Sequence, residues 1–120
     1  MKNKISFSWD LHWNCNYRCP YCWWHGKWDE FGKRSIYPGL EKLISVWKRI
    51  YDLYGECHLE IAGGEPSIYP QFSDFILEVL NYHTVSIMTN LSGDLDKIIN
   101  SKEEKVKTRF KMGCTFHPMF

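Results

Sequence analysis

Three of the five cysteines in this 120-residue chain, Cys15, Cys19 and Cys22, fall within eight residues. Their spacing, C-x3-C-x2-C, lets three thiolates on one short loop reach three corners of a cubane iron–sulfur cluster. Such clusters are normally held by four cysteines, so a set of three leaves one iron open to a cofactor or a substrate. The same thiols could instead form a zinc site completed by His12 or His25, because Cys3His is a common structural set, or stay free. An odd number of cysteines points to metal or catalysis rather than to disulfides. A second unusual segment, Gly63-Gly64-Glu65-Pro66, combines two residues of unrestricted backbone with an acid and a proline. Glycines in such a loop allow close approach to a ligand and unusual φ angles.

These segments need elements to position them. Ile5, Phe7 and Trp9 alternate with Ser6 and Ser8, which predicts a short strand. Residues 10–38 read as a long loop carrying the cysteines and Trp13, Trp23, Trp24 and Trp28, and loops of that length inside compact domains are usually functional. From Leu40 the apolar positions Leu43, Ile44, Trp47, Ile50, Tyr51 and Tyr54 recur at three- and four-residue spacing with Gly55 as the stop, which predicts a helix. Cys57–Ala62 reads as a second strand that breaks at Gly63, and Phe72–Leu80 as a second helix. Thr84–Thr89 gives a third strand and Asp94–Asn100 a short helix capped by Ser92 or Asp94. The charged stretch Lys102–Lys107 reads as a solvated loop, followed by a fourth strand, Phe110–Phe116.

The order βαβαβαβ implies an α/β fold of parallel βα repeats with right-handed crossovers, and in such folds ligands gather at the carboxyl ends of the strands. All four special sequences stand there: the cysteine loop after strand one, Gly63–Pro66 after strand two, Thr89-Asn90 after strand three, and Thr115-Phe116-His117-Pro118 after strand four. Cys57 and Cys114 read as small core residues. Arg18 is placed either to balance the charge of a bound group or to face solvent, and the tryptophans of the loop either to cover the site or to pack.

Composition sets the outer bounds. Hydrophobic residues make up 44% and charged residues 24% of the chain, ordinary values for one packed domain. The net charge of +1 supplies no field that would draw in nucleic acid or an anionic membrane. The N-terminus has no signal-peptide pattern, which leads to the expectation of a cytoplasmic protein. Aromatics reach 17%, with six Trp, so either a heavy core or a surface for flat ligands is expected.

C-x3-C-x2-C with Tyr21 just before the last cysteine, followed some forty residues later by Gly63-Gly64-Glu65-Pro66 at a strand end, resembles the radical S-adenosylmethionine (SAM) superfamily. The resemblance implies the first four units of a partial (β/α)6 TIM-like barrel, so residues 1–120 would be the N-terminal, truncated portion of a radical SAM core domain. It implies that Cys15, Cys19 and Cys22 ligate a [4Fe-4S] cluster whose open iron takes the amino and carboxylate groups of S-adenosyl-L-methionine. Gly63, Gly64, Glu65 and Pro66 would face the methionine end, with Glu65 fixing the loop or a polar partner. Tyr21 would sit near adenine, and Thr89 and Asn90 near ribose or carboxylate. The implied chemistry is reductive cleavage of SAM to a 5′-deoxyadenosyl radical that takes hydrogen from an unidentified substrate, fed by a one-electron donor such as flavodoxin or ferredoxin. Peptide modification and cofactor or natural-product biosynthesis are the implied fields, and a non-catalytic metal module or inactive fragment is the alternative.

Overall fold

The computed structural model describes residues 4–115. Phe116, His117 and Pro118, expected at the fourth strand end, lie outside the described residues. The chain forms an α/β fold: a parallel four-stranded sheet in the order β1-β2-β3-β4, made of Ser6–Asp10, His58–Ala62, Thr84–Thr89 and Phe110–Cys114. Helix α1, Trp28–Lys33, and helix α2, Leu40–Tyr54, lie between β1 and β2; α3, Phe72–Val79, lies between β2 and β3; α4, Asp96–Ile99, and α5, Glu104–Arg109, lie between β3 and β4.

Side-chain alternation decides which sheet face is covered. Leu59 and Ile61 on β2 and Val85 and Ile87 on β3 point to one side and are buried with Leu43 and Trp47 of α2, Phe72, Phe75, Ile76 and Val79 of α3, and Ile98 of α4. Burial of each such side chain is worth about 1.5–3 kcal/mol. Trp47 holds α2 to the sheet through an edge contact with Phe7 at 5.4 Å and a tilted one with Trp9 at 5.1 Å between ring centroids. Gly55 ends α2 at φ 75°, where its N–H donates to the Tyr51 carbonyl at 2.7 Å.

Three expectations change. The 10–38 loop contains α1, which the periodicity hides because its apolar residues are few and Gly32 lies inside it. Lys102–Lys107 is not a loop: α5 occupies most of it, with Val106 packed on the core and Lys105 bonded to Asn81 at 3.0 Å. One apolar residue in a charged run gives no period to read, although Glu and Lys are good helix formers. The short helix before it begins at Asp96 without a side-chain cap. Asp94 instead receives the Ser73 N–H at 3.3 Å, and Ser92 donates to Asn16 at 3.0 Å.

Below the core, His83 is fully buried and fixed in one neutral tautomer. Its Nδ1 accepts the Cys57 N–H at 3.0 Å, and its Nε2 donates to the Trp47 carbonyl at 2.8 Å. Burial holds its pKa below the usual histidine value, outweighing the hydrogen bond to Trp47. Because the folded pKa is depressed, the unfolded chain takes up the proton first as pH falls through about 6.5, and stability drops there. His12 shifts in the same direction, whereas Glu56, held low chiefly by Lys4, acts at lower pH. The urea midpoint is therefore expected to fall between about pH 7.5 and pH 5.5, with a shallower fall in His83→Asn. A midpoint flat across that window would contradict the assignment.

Candidate functional site

The cysteine loop folds against the glycine loop through backbone. Gly64 donates to the His12 carbonyl at 3.1 Å and Glu65 to the Asn14 carbonyl at 2.8 Å. Gly63 sits at φ 124°, and a Cβ there would run into the His12 carbonyl oxygen; one on Gly64 would run into the Asn14 carbonyl oxygen. The glycines are thus required for the approach of one loop to the other. Gly64→Ala is expected to push the cysteine loop off its seat, lowering metal retention after reconstitution while leaving the helix content measured by circular dichroism unchanged.

His12 locks the same junction. Tyr37 donates its hydroxyl to His12 Nδ1 at 3.2 Å, and Nε2 donates to the Glu65 carbonyl at 2.7 Å. Burial lowers the His12 pKa, partly offset by that bond to Glu65, which suits the neutral ring the pattern requires. With both nitrogens engaged, His12 is placed as a strut and not as a metal ligand.

Glu65 is 2% exposed, and its carboxylate ties the β2 end to the β3 end. It accepts the Ser67 N–H at 3.0 Å and the Asn90 N–H at 2.7 Å, together with the hydroxyls of Ser67 and Thr89. Of the two roles expected for Glu65, the structure displays the first: it fixes the loop. Pro66 is buried and opens a short 3-10 turn, Pro66–Ile68, where a missing N–H costs nothing. Asn90 bonds through its side chain to Ser92 and lies 3.5 Å from Asn16, bringing the β3 end onto the cysteine loop.

These loops enclose one cavity of about 270 Å³ at the carboxyl edge of the sheet. Cys15, Cys19, Cys22, Tyr21, Gly63, Gly64, Glu65, Thr89 and Asn90 all line it, and Thr115 closes it from the β4 end. Pro66 stands behind the wall. Tyr17, Ala62 and Met88 also line it and were missed by the motif reading. The strand alternation carries the signal for Ala62 and Met88, which stand on the face opposite Ile61 and Ile87. Cys19 is buried and Cys15 and Cys22 are half-buried. The Tyr17 N–H points at Cys15 Sγ and the Trp24 N–H at Cys22 Sγ, each at 3.4 Å, and the first contact favours the Cys15 thiolate. Burial nevertheless raises the Cys15 pKa, against the Tyr17 contact and with help from Glu65 and the other two cysteines. Among the described residues no three His, Cys, Asp or Glu side chains converge to hold a metal ion.

The remaining loop residues pack. Trp13, Trp24 and Phe31 form an aromatic cluster with centroid distances of 5.4 to 6.4 Å, and none of them lines the cavity. Trp23, next to Cys22, is 95% exposed. Arg18 is exposed, as one of its two readings has it, and does not line the cavity; it donates to the Cys15 carbonyl at 2.6 Å and lies over the Trp28 ring at 5.3 Å. His25 meets Trp28 edge-on. Cys57 is buried as expected, but Cys114, at the end of the edge strand β4, is exposed.

No protein-family model matches the chain, and neither a curated protein nor a solved structure matches it. Among the described residues no helix is long and apolar enough to cross a membrane.

Proposed function

We propose that this chain is the N-terminal part of the core domain of a radical SAM enzyme, the four βα units being the first of a partial (β/α)6 barrel in a cytoplasmic protein. The observation that carries the reading is the convergence of the three cysteines, the Gly63–Glu65 loop and Thr89-Asn90 on one cavity at the carboxyl edge of a parallel sheet. Cys15, Cys19 and Cys22 all line the same cavity, and a cubane cluster takes one thiolate at each of its protein-bound irons. The donor set therefore fits a [4Fe-4S] cluster held by Cys15, Cys19 and Cys22, with SAM over the Gly63–Glu65 wall, Tyr21 at its adenine and Thr89 and Asn90 at its polar groups. When bound, that pair supplies one-electron cleavage of SAM and a radical able to take hydrogen from a substrate.

The protein's own contribution is placement. Glu65 holds two strand ends together, Gly63 and Gly64 let the cysteine loop sit on the sheet edge, and Ala62 and Met88 give the cavity an apolar floor. A one-electron donor such as flavodoxin or ferredoxin is the implied partner. A structural zinc module is the rival reading, and the engagement of both His12 nitrogens weighs against a Cys3His set built on that residue.

Anaerobic reconstitution followed by iron, sulfide and zinc analysis separates the two. The proposal expects iron and sulfide in equal amounts, approaching a full cluster per chain. Stoichiometric zinc that iron and sulfide do not displace would overturn it.

A further inference from the structure

Among the described residues no helix packs on the sheet face opposite the core, and one row of that face is polar in a pattern the cysteine cavity does not use. The pairing registers align Ser8 with Glu60, Glu60 with Ser86 and Ser86 with Lys111, one row across all four strands. That row lines a second cavity of about 330 Å³. Neighbouring strands lie about 4.8 Å apart, which sets the Glu60 and Lys111 backbones roughly 10 Å from each other. Neither side chain has an ion pair or hydrogen bond among the described residues, and both are exposed.

Three further facts make the row a site and not a solvated surface. His58 bridges β2 and β3 one step below it, bonded to Thr84 at 2.7 Å and to Ser86 at 3.0 Å, so the central hydroxyl is held in place. Glu60 and Lys111 are the charged residues that line the cavity, leaving it negative over β2 and positive over β4, with Asp10, in register with Ala62, a second acid on the same sheet face outside the lining. Ala62 and Met88 line both this cavity and the cysteine cavity, so the two share a wall, and Ala62 and Gly113 keep that boundary low.

We propose that this face binds the substrate, and that the substrate is a zwitterion of short-peptide chemistry, its cationic group on Glu60 and its anionic group on Lys111. The assignment rests on the radical SAM reading for what becomes of the bound molecule. The charge preference itself depends only on the row. A molecule spanning Glu60 to Lys111 lies along the shared wall, with its middle beside Met88 and therefore next to the cavity of the three cysteines.

The test uses triglycine as the probe, since its extended zwitterion spans roughly 10 Å, with N-acetyl-triglycine and triglycinamide as charge-deleted controls. Amide shifts of the ¹⁵N-labelled chain are followed during titration of each. The expected result is saturable shifts at Ser8, Glu60, Ser86 and Lys111 with triglycine, with each control weakened roughly tenfold, the scale of one charge-assisted hydrogen bond. Glu60→Gln should abolish the preference over N-acetyl-triglycine alone, and Lys111→Met the preference over triglycinamide alone. Equal binding of all three probes, shifts elsewhere, or no shift at these amides would overturn the proposal. The readout needs neither cluster nor SAM, so its failure leaves the cluster reading standing, and a failed cluster reading leaves the charge preference intact.

Discussion

Replacing Cys19 by alanine is expected to bring iron and sulfide down to background after anaerobic reconstitution, while Cys57→Ala and Cys114→Ser reconstitute as the parent does. Cys19 is buried at the centre of the cysteine loop and lines the cavity with Cys15 and Cys22, so its loss leaves two thiolates for a cluster that needs three from the protein. Cys57 lies under the helices beside His83, and Cys114 ends the edge strand exposed; neither lines the cavity. The loop is seated on the sheet edge by backbone bonds from Gly64 and Glu65. The metal-free Cys19→Ala chain should therefore stay folded, its urea midpoint lowered only by the loss of one small buried side chain. A structural zinc site gives the opposite pattern, in which the metal carries folding free energy and its loss unfolds the chain.

The second large effect belongs to Glu65. Glu65→Ala strips the acceptors from the buried N–H of Ser67, the part-buried N–H of Asn90 and two buried hydroxyls. Leaving the Ser67 N–H alone unpaired costs roughly 1–3 kcal/mol, a large part of the stability of a chain this size. Glu65→Gln keeps the shape but turns an N–H toward a donor, so it should recover only part of the loss. Urea unfolding of the metal-free protein reads this directly. A Glu65→Ala chain as stable as the parent, impaired only in binding SAM, would show instead that the carboxylate acts on the ligand.

Much of the fold was legible because each sheet strand carries a strict alternation. Leu59 and Ile61, and Val85 and Ile87, are separated by residues of the open face, and the same alternation that buries the first set places Glu60, Ser86 and Met88 on the other. The α2 helix was legible from its long apolar stripe and its glycine stop. Helices α1 and α5 were not, since six residues with one or two apolar positions are too short to show a period. At the site, types, spacing and the family resemblance together named nine of the residues that the fold gathers around one cavity. They did not reveal what the glycines approach. Gly63 and Gly64 were read as making room for a ligand, and the room they make is for the carbonyls of His12 and Asn14, partners some fifty residues away in sequence. His12 shows the same limit: as a histidine near three cysteines it could be a ligand, and only the positions of Tyr37 and Glu65 make it a strut.

The central claim is that the cavity holds a cluster with one iron open to SAM. Electron paramagnetic resonance of the reconstituted, dithionite-reduced protein, with and without SAM, tests it most directly. The account predicts a [4Fe-4S]⁺ signal whose g values move when SAM is added, and a smaller response in Gly64→Ala. A full cluster signal unchanged by saturating SAM, or protein that returns only zinc, would contradict it.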